Sequence, residues 1–125
     1  MKNILISPKA PKPVGPYSQA VSFGEFIYSS GQVGLNSEGK FVSDDVQDQT
    51  KQTLENLKSI LKDNGSSLEN VIKTTVYLRD MNDFKPMNEI YAKYFGSSLP
   101  ARSTVAVVGL PLDAKVEIEV IAFKK

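Results

Sequence analysis

Apolar positions recur along this chain with two periods, and their order predicts the elements. Ile4 to Ile6 fits a short strand, after which Pro8, Pro11, Pro13 and Pro16 exclude helix and central strand and leave a stiff loop. From Tyr17 to Phe23, the residues Tyr17, Gln19, Val21 and Phe23 alternate with Ser18, Ala20 and Ser22, a period of two that predicts a strand. Gly24-Glu25 supplies a hairpin turn, Phe26 to Ser30 the return strand, and Gly31, Gly34 and Gly39 with Asn36 and Ser37 a loop. Val46, Thr50, Thr53, Leu54, Leu57, Ile60 and Leu61 then fall at helical spacing, between a cap at Ser43 or Asp44 and a stop at Asn64-Gly65.

Val71 to Arg79 is rich enough in β-branched residues to form a strand, with Ile72, Thr74, Val76 and Leu78 on one face and Val71, Lys73, Thr75 and Tyr77 on the other. A second helix is expected from Asn82 or Asp83, because Pro86 is tolerated only in a first turn; Phe84, Met87, Tyr91, Tyr94 and Phe95 line one side and Gly96 ends it. Arg102 to Val108 and Lys115 to Phe123 close the chain as strands. The order β, ββ, α, β, α, ββ predicts one α+β domain over residues 1–125, a mixed β-sheet with both helices on one face. The other face needs a different cover. In the last strand Val116, Ile118, Val120 and Ala122 can meet the helices, while Lys115, Glu117, Glu119, Ile121 and Phe123 share the opposite side. That mixture fits either a subunit interface or a solvated face with two stray apolar residues.

The chain's 125 residues, 41% apolar and 23% charged, match an ordinary globular domain that buries a core without staples. Cysteine and histidine are both absent, which excludes Cys/His nucleophilic pairs, Ser-His-Asp triads and zinc sites built from Cys and His. Chemistry falls to carboxylates, hydroxyls, amides, Lys and Arg. The net charge of +1, with 15 basic and 14 acidic residues spread along the chain, implies no field that would collect nucleic acid or anionic lipid. With no cysteine, no signal-like N-terminal run and no 18-residue apolar span, a soluble, cytoplasmic protein away from membranes is expected.

Thirteen of the cations are lysine and only Arg79 and Arg102 are arginine. Arg102 follows Pro100-Ala101 at the start of a strand, where its planar fork can take a carboxylate through two parallel hydrogen bonds, or can make an ordinary surface ion pair. Arg79-Asp80 fits the ion pair. Glu117, inside an apolar strand and two residues from Glu119, can be desolvated and pass protons near neutral pH, or can be one of two solvated carboxylates. Gly31 in Ser30-Gly31-Gln32 permits close backbone approach, and Gly15-Pro16-Tyr17 presents a phenol from a rigid loop. Asn88 falls on the apolar side of the second helix and needs a polar partner.

Together, Gly15-Pro16-Tyr17-Ser18-Gln19, Ser29-Ser30-Gly31-Gln32, Lys73-Thr74-Thr75-Val76, Pro100-Ala101-Arg102-Ser103 and Val116-Glu117-Ile118-Glu119-Val120-Ile121-Ala122 resemble the Rid family of reactive intermediate deaminases, in its A branch, along the whole chain. The resemblance implies a chorismate-mutase-like fold, and a homotrimer whose sheets form a central barrel with clefts between subunits. It implies hydrolysis of 2-imino acids such as 2-iminopropanoate and 2-iminobutanoate, and their enamine tautomers, to 2-oxo acids and ammonia, without metal or cofactor. It also implies roles: Arg102 for the substrate carboxylate, Glu117 for the water, Tyr17 and Ser30 in the pocket, and Asn88, Gly31 and Thr104 beside it. Thr104 stands where many relatives carry cysteine, so thiol-dependent roles are not expected, and Val108-Gly109-Leu110 departs from an arginine-bearing turn of several relatives. A non-catalytic trimer that binds small carboxylates, or acts as a chaperone or regulator, is the alternative. The nuclease activity attached to parts of the family is disfavoured by the near-neutral charge and the missing histidine.

Overall fold

The computed structural model describes residues 1–125 and builds eight regular elements. They are β1 Asn3–Leu5, β2 Ala20–Phe23, β3 Phe26–Ser29, α1 Val46–Lys62, β4 Val71–Leu78, α2 Phe84–Phe95, β5 Ala101–Ala106 and β6 Val116–Phe123. All the strands join one sheet in the order β1-β2-β3-β6-β4-β5. Its neighbours run antiparallel except β4 and β5, which are parallel and connected through α2, as parallel neighbours require. β6 therefore sits between β3 and β4, and β5 forms an edge. Both helices cover one face, giving the α+β architecture with a mixed sheet that the pattern predicts.

The apolar stripe of α1 packs Leu54, Leu57, Ile60 and Leu61 against the sheet, where Ile27, Val76, Leu78, Val116, Ile118, Val120 and Ala122 are buried in the same core. Asp45, rather than Ser43 or Asp44, caps α1: its carboxylate accepts from the Asp48 amide at 2.9 Å, while the Ser43 hydroxyl donates to Asp48 Oδ2 at 2.8 Å. Gly65 ends the helix region with φ +84°, as the Asn64-Gly65 stop predicts.

Other predicted details differ as well, and β5 ends at Ala106 rather than Val108. Residues 17–19 stay outside β2, because the Gln19 side chain turns away to bond the proline loop. In β4 a register shift between Val71 and Lys73 moves Val71 into the core and Ile72 outward, the reverse of the strict alternation read from the sequence.

The sheet's second face carries no element. Across β2, β3 and β6 the cross-strand partners Val21 and Tyr28, Phe23 and Phe26, Phe26 and Phe123, and Tyr28 and Ile121 line it with large apolar groups. Phe23, Phe26, Tyr28 and Phe123 are each exposed. This is a continuous patch over three strands rather than two stray residues, and such patches mark surfaces that meet a partner.

Buried Gln19 locks the proline loop to the sheet. Its Oε1 accepts from the Ser7 amide at 2.7 Å, and its Nε2 donates to the carbonyls of Pro11 at 2.9 Å and Ser7 at 3.2 Å. Gln19→Leu leaves these buried groups unpaired, an expected cost of about 2–4 kcal/mol. Limited proteolysis is expected to cut the variant between residues 8 and 17 while the wild-type loop resists.

Candidate active site

Strand pairing decides which candidate residues share a surface. Arg102 on β5 is the Cα partner of Thr74 on β4, and Thr104 is the partner of Val76; both β4 residues are buried beneath the helices. Arg102 and Thr104 therefore project to the helix side. Glu117 on β6 is paired with Tyr77, and Glu119 with Thr75, on the helix-free side. One chain thus presents its candidate arginine and its candidate carboxylate on opposite faces of the sheet.

On the helix side, Arg102 leaves the edge strand and lies against α2. Its Nη1 donates to Asn88 Oδ1 at 2.7 Å, and its guanidinium carbon stands 4.6 Å from the centre of the Tyr91 ring and 5.5 Å from that of Phe84. The polar partner that Asn88 needs is the arginine itself. Arg102 makes no ion pair, which removes the surface-pair reading. Arg79 does pair, though with Asp113 at 2.7 Å rather than with neighbouring Asp80. A cavity of about 400 Å³ opens at Arg102, walled by Asn88, Tyr91, Ala92, Phe95, Leu99 and Pro100. A fixed cation with free N–H donors, beside short apolar walls, suits a small carboxylate with a small apolar tail. The Thr104 hydroxyl is buried without a partner in the chain.

On the opposite side, Gly31 passes so close to Glu117 that a Cβ there would lie 2.6 Å from the Glu117 carboxyl carbon. Any side chain at position 31 would displace the Glu117 carboxyl from this place, so the glycine lets backbone and acid lie together. Burial, followed by repulsion from Glu119, raises the Glu117 pKa above the ordinary carboxylate range. Ser30 precedes this contact and is fixed by its hydroxyl donating to the Ser18 carbonyl at 2.5 Å and its amide donating to the Gln19 carbonyl at 2.9 Å. Tyr17, adjacent to Ser18, is half exposed, its phenol oxygen accepting from the Val14 amide at 3.4 Å.

The sequence-predicted residues therefore form two groups, Arg102 with Asn88, and Glu117 with Gly31, with Ser30 and Tyr17 in the segment leading to Gly31. Phe84, Tyr91 and Thr74 were not among the candidates. The legible signal for them was the spacing of Phe84, Asn88 and Tyr91 along one helical stripe, and a threonine on the apolar face of β4.

Comparison with known proteins follows the same outline. A model of the family described as endoribonuclease L-PSP matches residues 7–124. A RutC family protein from Pyrococcus horikoshii is 53% identical over 100% of both chains. The Mus musculus protein named 2-iminobutanoate/2-iminopropanoate deaminase is 51% identical, over 98% of this chain and 91% of that one. The crystal structure of E. coli TdcF with bound serine superposes with a TM-score of 0.92 at 40% identity, over 98% of this chain and 99% of that one.

The raised Glu117 pKa fixes a sign for stability. A carboxyl whose pKa is higher folded than unfolded favours the fold while protonated, and that contribution is lost as pH rises through the folded pKa. Glu117→Gln is expected to raise the melting temperature at pH 7.5 and to leave it unchanged at pH 4, in paired calorimetric scans.

Proposed function

The chain belongs to the Rid family, the family whose model is described as endoribonuclease L-PSP, and from that premise we propose that it hydrolyses small 2-imino acids to 2-oxo acids and ammonia in a cleft between two copies of itself. The observation that carries this reading is Arg102, a partly buried guanidinium held by Asn88 and two aromatic rings yet lacking any carboxylate partner in its own chain. Relatives about half identical are named 2-iminobutanoate/2-iminopropanoate deaminase, and TdcF holds serine, a small amino acid with the carboxylate such a fork would grip.

The chemistry asks little of the protein. A 2-imino acid is electrophilic at the C=N carbon, so catalysis needs a clamp, a positioned water and a proton carrier. Arg102 takes the carboxylate through its free N–H groups. Glu117 of a neighbouring copy accepts a proton from water as the water oxygen bonds to the C=N carbon, and returns it to nitrogen. The same carboxylate then takes the proton of the new hydroxyl and delivers it to nitrogen as the C–N bond breaks, so that ammonia leaves and the carbonyl of a 2-oxo acid remains; water is the only nucleophile, and no metal or redox partner is needed. Burial and Glu119 bring the Glu117 pKa toward the range in which a carboxylate both takes and gives a proton. Gly31 keeps Glu117 in place, Asn88 orients Arg102, and Tyr17, Ser30 and Thr104 line the cleft.

The neighbour is needed because Arg102 and Glu117 face away from each other in one chain. The apolar patch on the sheet's open face offers a surface for that neighbour, and in the proposed assembly, a closed ring of three chains, the Arg102 edge of one meets the Glu117 face of the next.

With imine generated in situ by a dehydratase acting on threonine, purified protein is expected to accelerate 2-oxobutanoate formation. Arg102→Lys, which keeps the charge and loses the fork, is expected to lower kcat/KM by about 100-fold. Saturable binding of 2-oxobutanoate without any acceleration of imine loss would instead favour a non-catalytic carboxylate-binding protein.

A further inference from the structure

Arg102 projects from an edge strand, where no further strand confines a long side chain on its outer flank. What confines it is α2. Tyr91 is buried, its ring lies 4.6 Å beneath the guanidinium carbon, and its hydroxyl shares a 2.8 Å hydrogen bond with the Thr74 hydroxyl. Thr74 is fully buried and is the Cα partner of Arg102 on the neighbouring strand. The tie therefore runs from the strand next to Arg102, through the phenol, to the ring face on which the cation rests.

We propose that Tyr91, pinned through its hydroxyl to Thr74, is a positioning residue that sets the pose of the Arg102 guanidinium, with Phe84 bounding it and Asn88 fixing its rotation. This inference rests on the carboxylate-binding reading of Arg102 and extends it to the residues that make the fork rigid. The geometry requires each part. A ring can present its face to a cation only if its tilt is held, and a bond at the para position holds it at the end farthest from the helix backbone. The 2.8 Å bond joins two buried hydroxyls where apolar side chains would pack without polar atoms to satisfy, so the pair is a costly way merely to pack a core. Asn88 occupies one Nη1 donor and the rings contact the guanidinium plane, which leaves the other edge N–H groups for a carboxylate.

Three variants test this: Tyr91→Phe keeps the ring and loses the tie, Tyr91→Leu keeps apolar bulk and loses the ring, and Thr74→Val loses the tie from the other side. Because a clamp holds ground and transition states alike, KM is expected to rise about tenfold in Tyr91→Leu and about threefold in the other two, with kcat changed less than about twofold. The dissociation constant of 2-oxobutanoate should follow the same ladder. In NMR spectra of wild type, the Arg102 Nε–H resonance should be shifted by the Tyr91 ring current, and the shift should disappear in Tyr91→Leu. A Tyr91→Leu protein with unchanged KM and ligand affinity, or Tyr91→Phe and Thr74→Val proteins indistinguishable from wild type in both, would overturn the proposal. So would an Arg102 resonance insensitive to Tyr91. If the wild type turned over no imine, the ligand affinity and the Arg102 resonance would still decide the positioning role, separately from the fate of the deaminase reading.

Discussion

A β-strand sends successive side chains to opposite faces, and the arrangement of this molecule follows from that constraint acting on β6 and its neighbours. Val116, Ile118, Val120 and Ala122 lock β6 under the helices, which obliges Glu117 and Glu119 to face the other way. Pairing with β4 carries the alternation to β5, where Arg102 and Thr104 share the helix side with Thr74 and Val76. A one-residue slip would exchange the faces and expose the core, so the separation of arginine from carboxylate is enforced by the same burial that holds the fold together. A chain built this way reaches a two-sided site only by meeting another chain, and the apolar patch across β2, β3 and β6 supplies a surface for that meeting.

The two halves are prepared by different means. Arg102 is held by contact: an amide acceptor, two ring faces and a buried pair of hydroxyls restrain a side chain that is otherwise long and mobile. Glu117 is held by crowding, with the Gly31 backbone pressed onto it and Glu119 two residues away on the same face. Contact keeps a cation aimed, whereas crowding makes an anion reluctant and its proton transferable. These are the properties that the proposed hydrolysis of an imino acid asks of a carboxylate clamp and a proton carrier in a chain without Cys or His.

Much of this was legible in the sequence, and the exceptions have local causes. The alternation in β6 and the helical spacing of α1 and α2 are strong periodic signals, and each gave the correct face. The start of β2 was read too early because Gln19 keeps the period of the strand while its side chain serves the proline loop. Ile72 was grouped with Thr74, Val76 and Leu78 on one face because a bulge leaves no mark on the alternation. Arg102 stood out through its rarity and its place after Pro100-Ala101, but residue type cannot say whether an arginine is paired. Its freedom from carboxylates, and the tie between Tyr91 and Thr74, depend on which strands become neighbours. That information resides in the packing of the whole sheet rather than in any one segment.

The claim that a working site takes Arg102 from one chain and Glu117 from the next is tested most directly by mixing defects. Arg102→Ala and Glu117→Ala chains, each inactive alone, are denatured, combined in equal amounts and refolded together. Random assembly pairs an intact arginine with an intact glutamate at about a quarter of the interfaces, so the mixture is expected to regain about a quarter of wild-type imine turnover. A mixture that remains as inactive as its components, although hybrid oligomers have formed, would contradict the shared site.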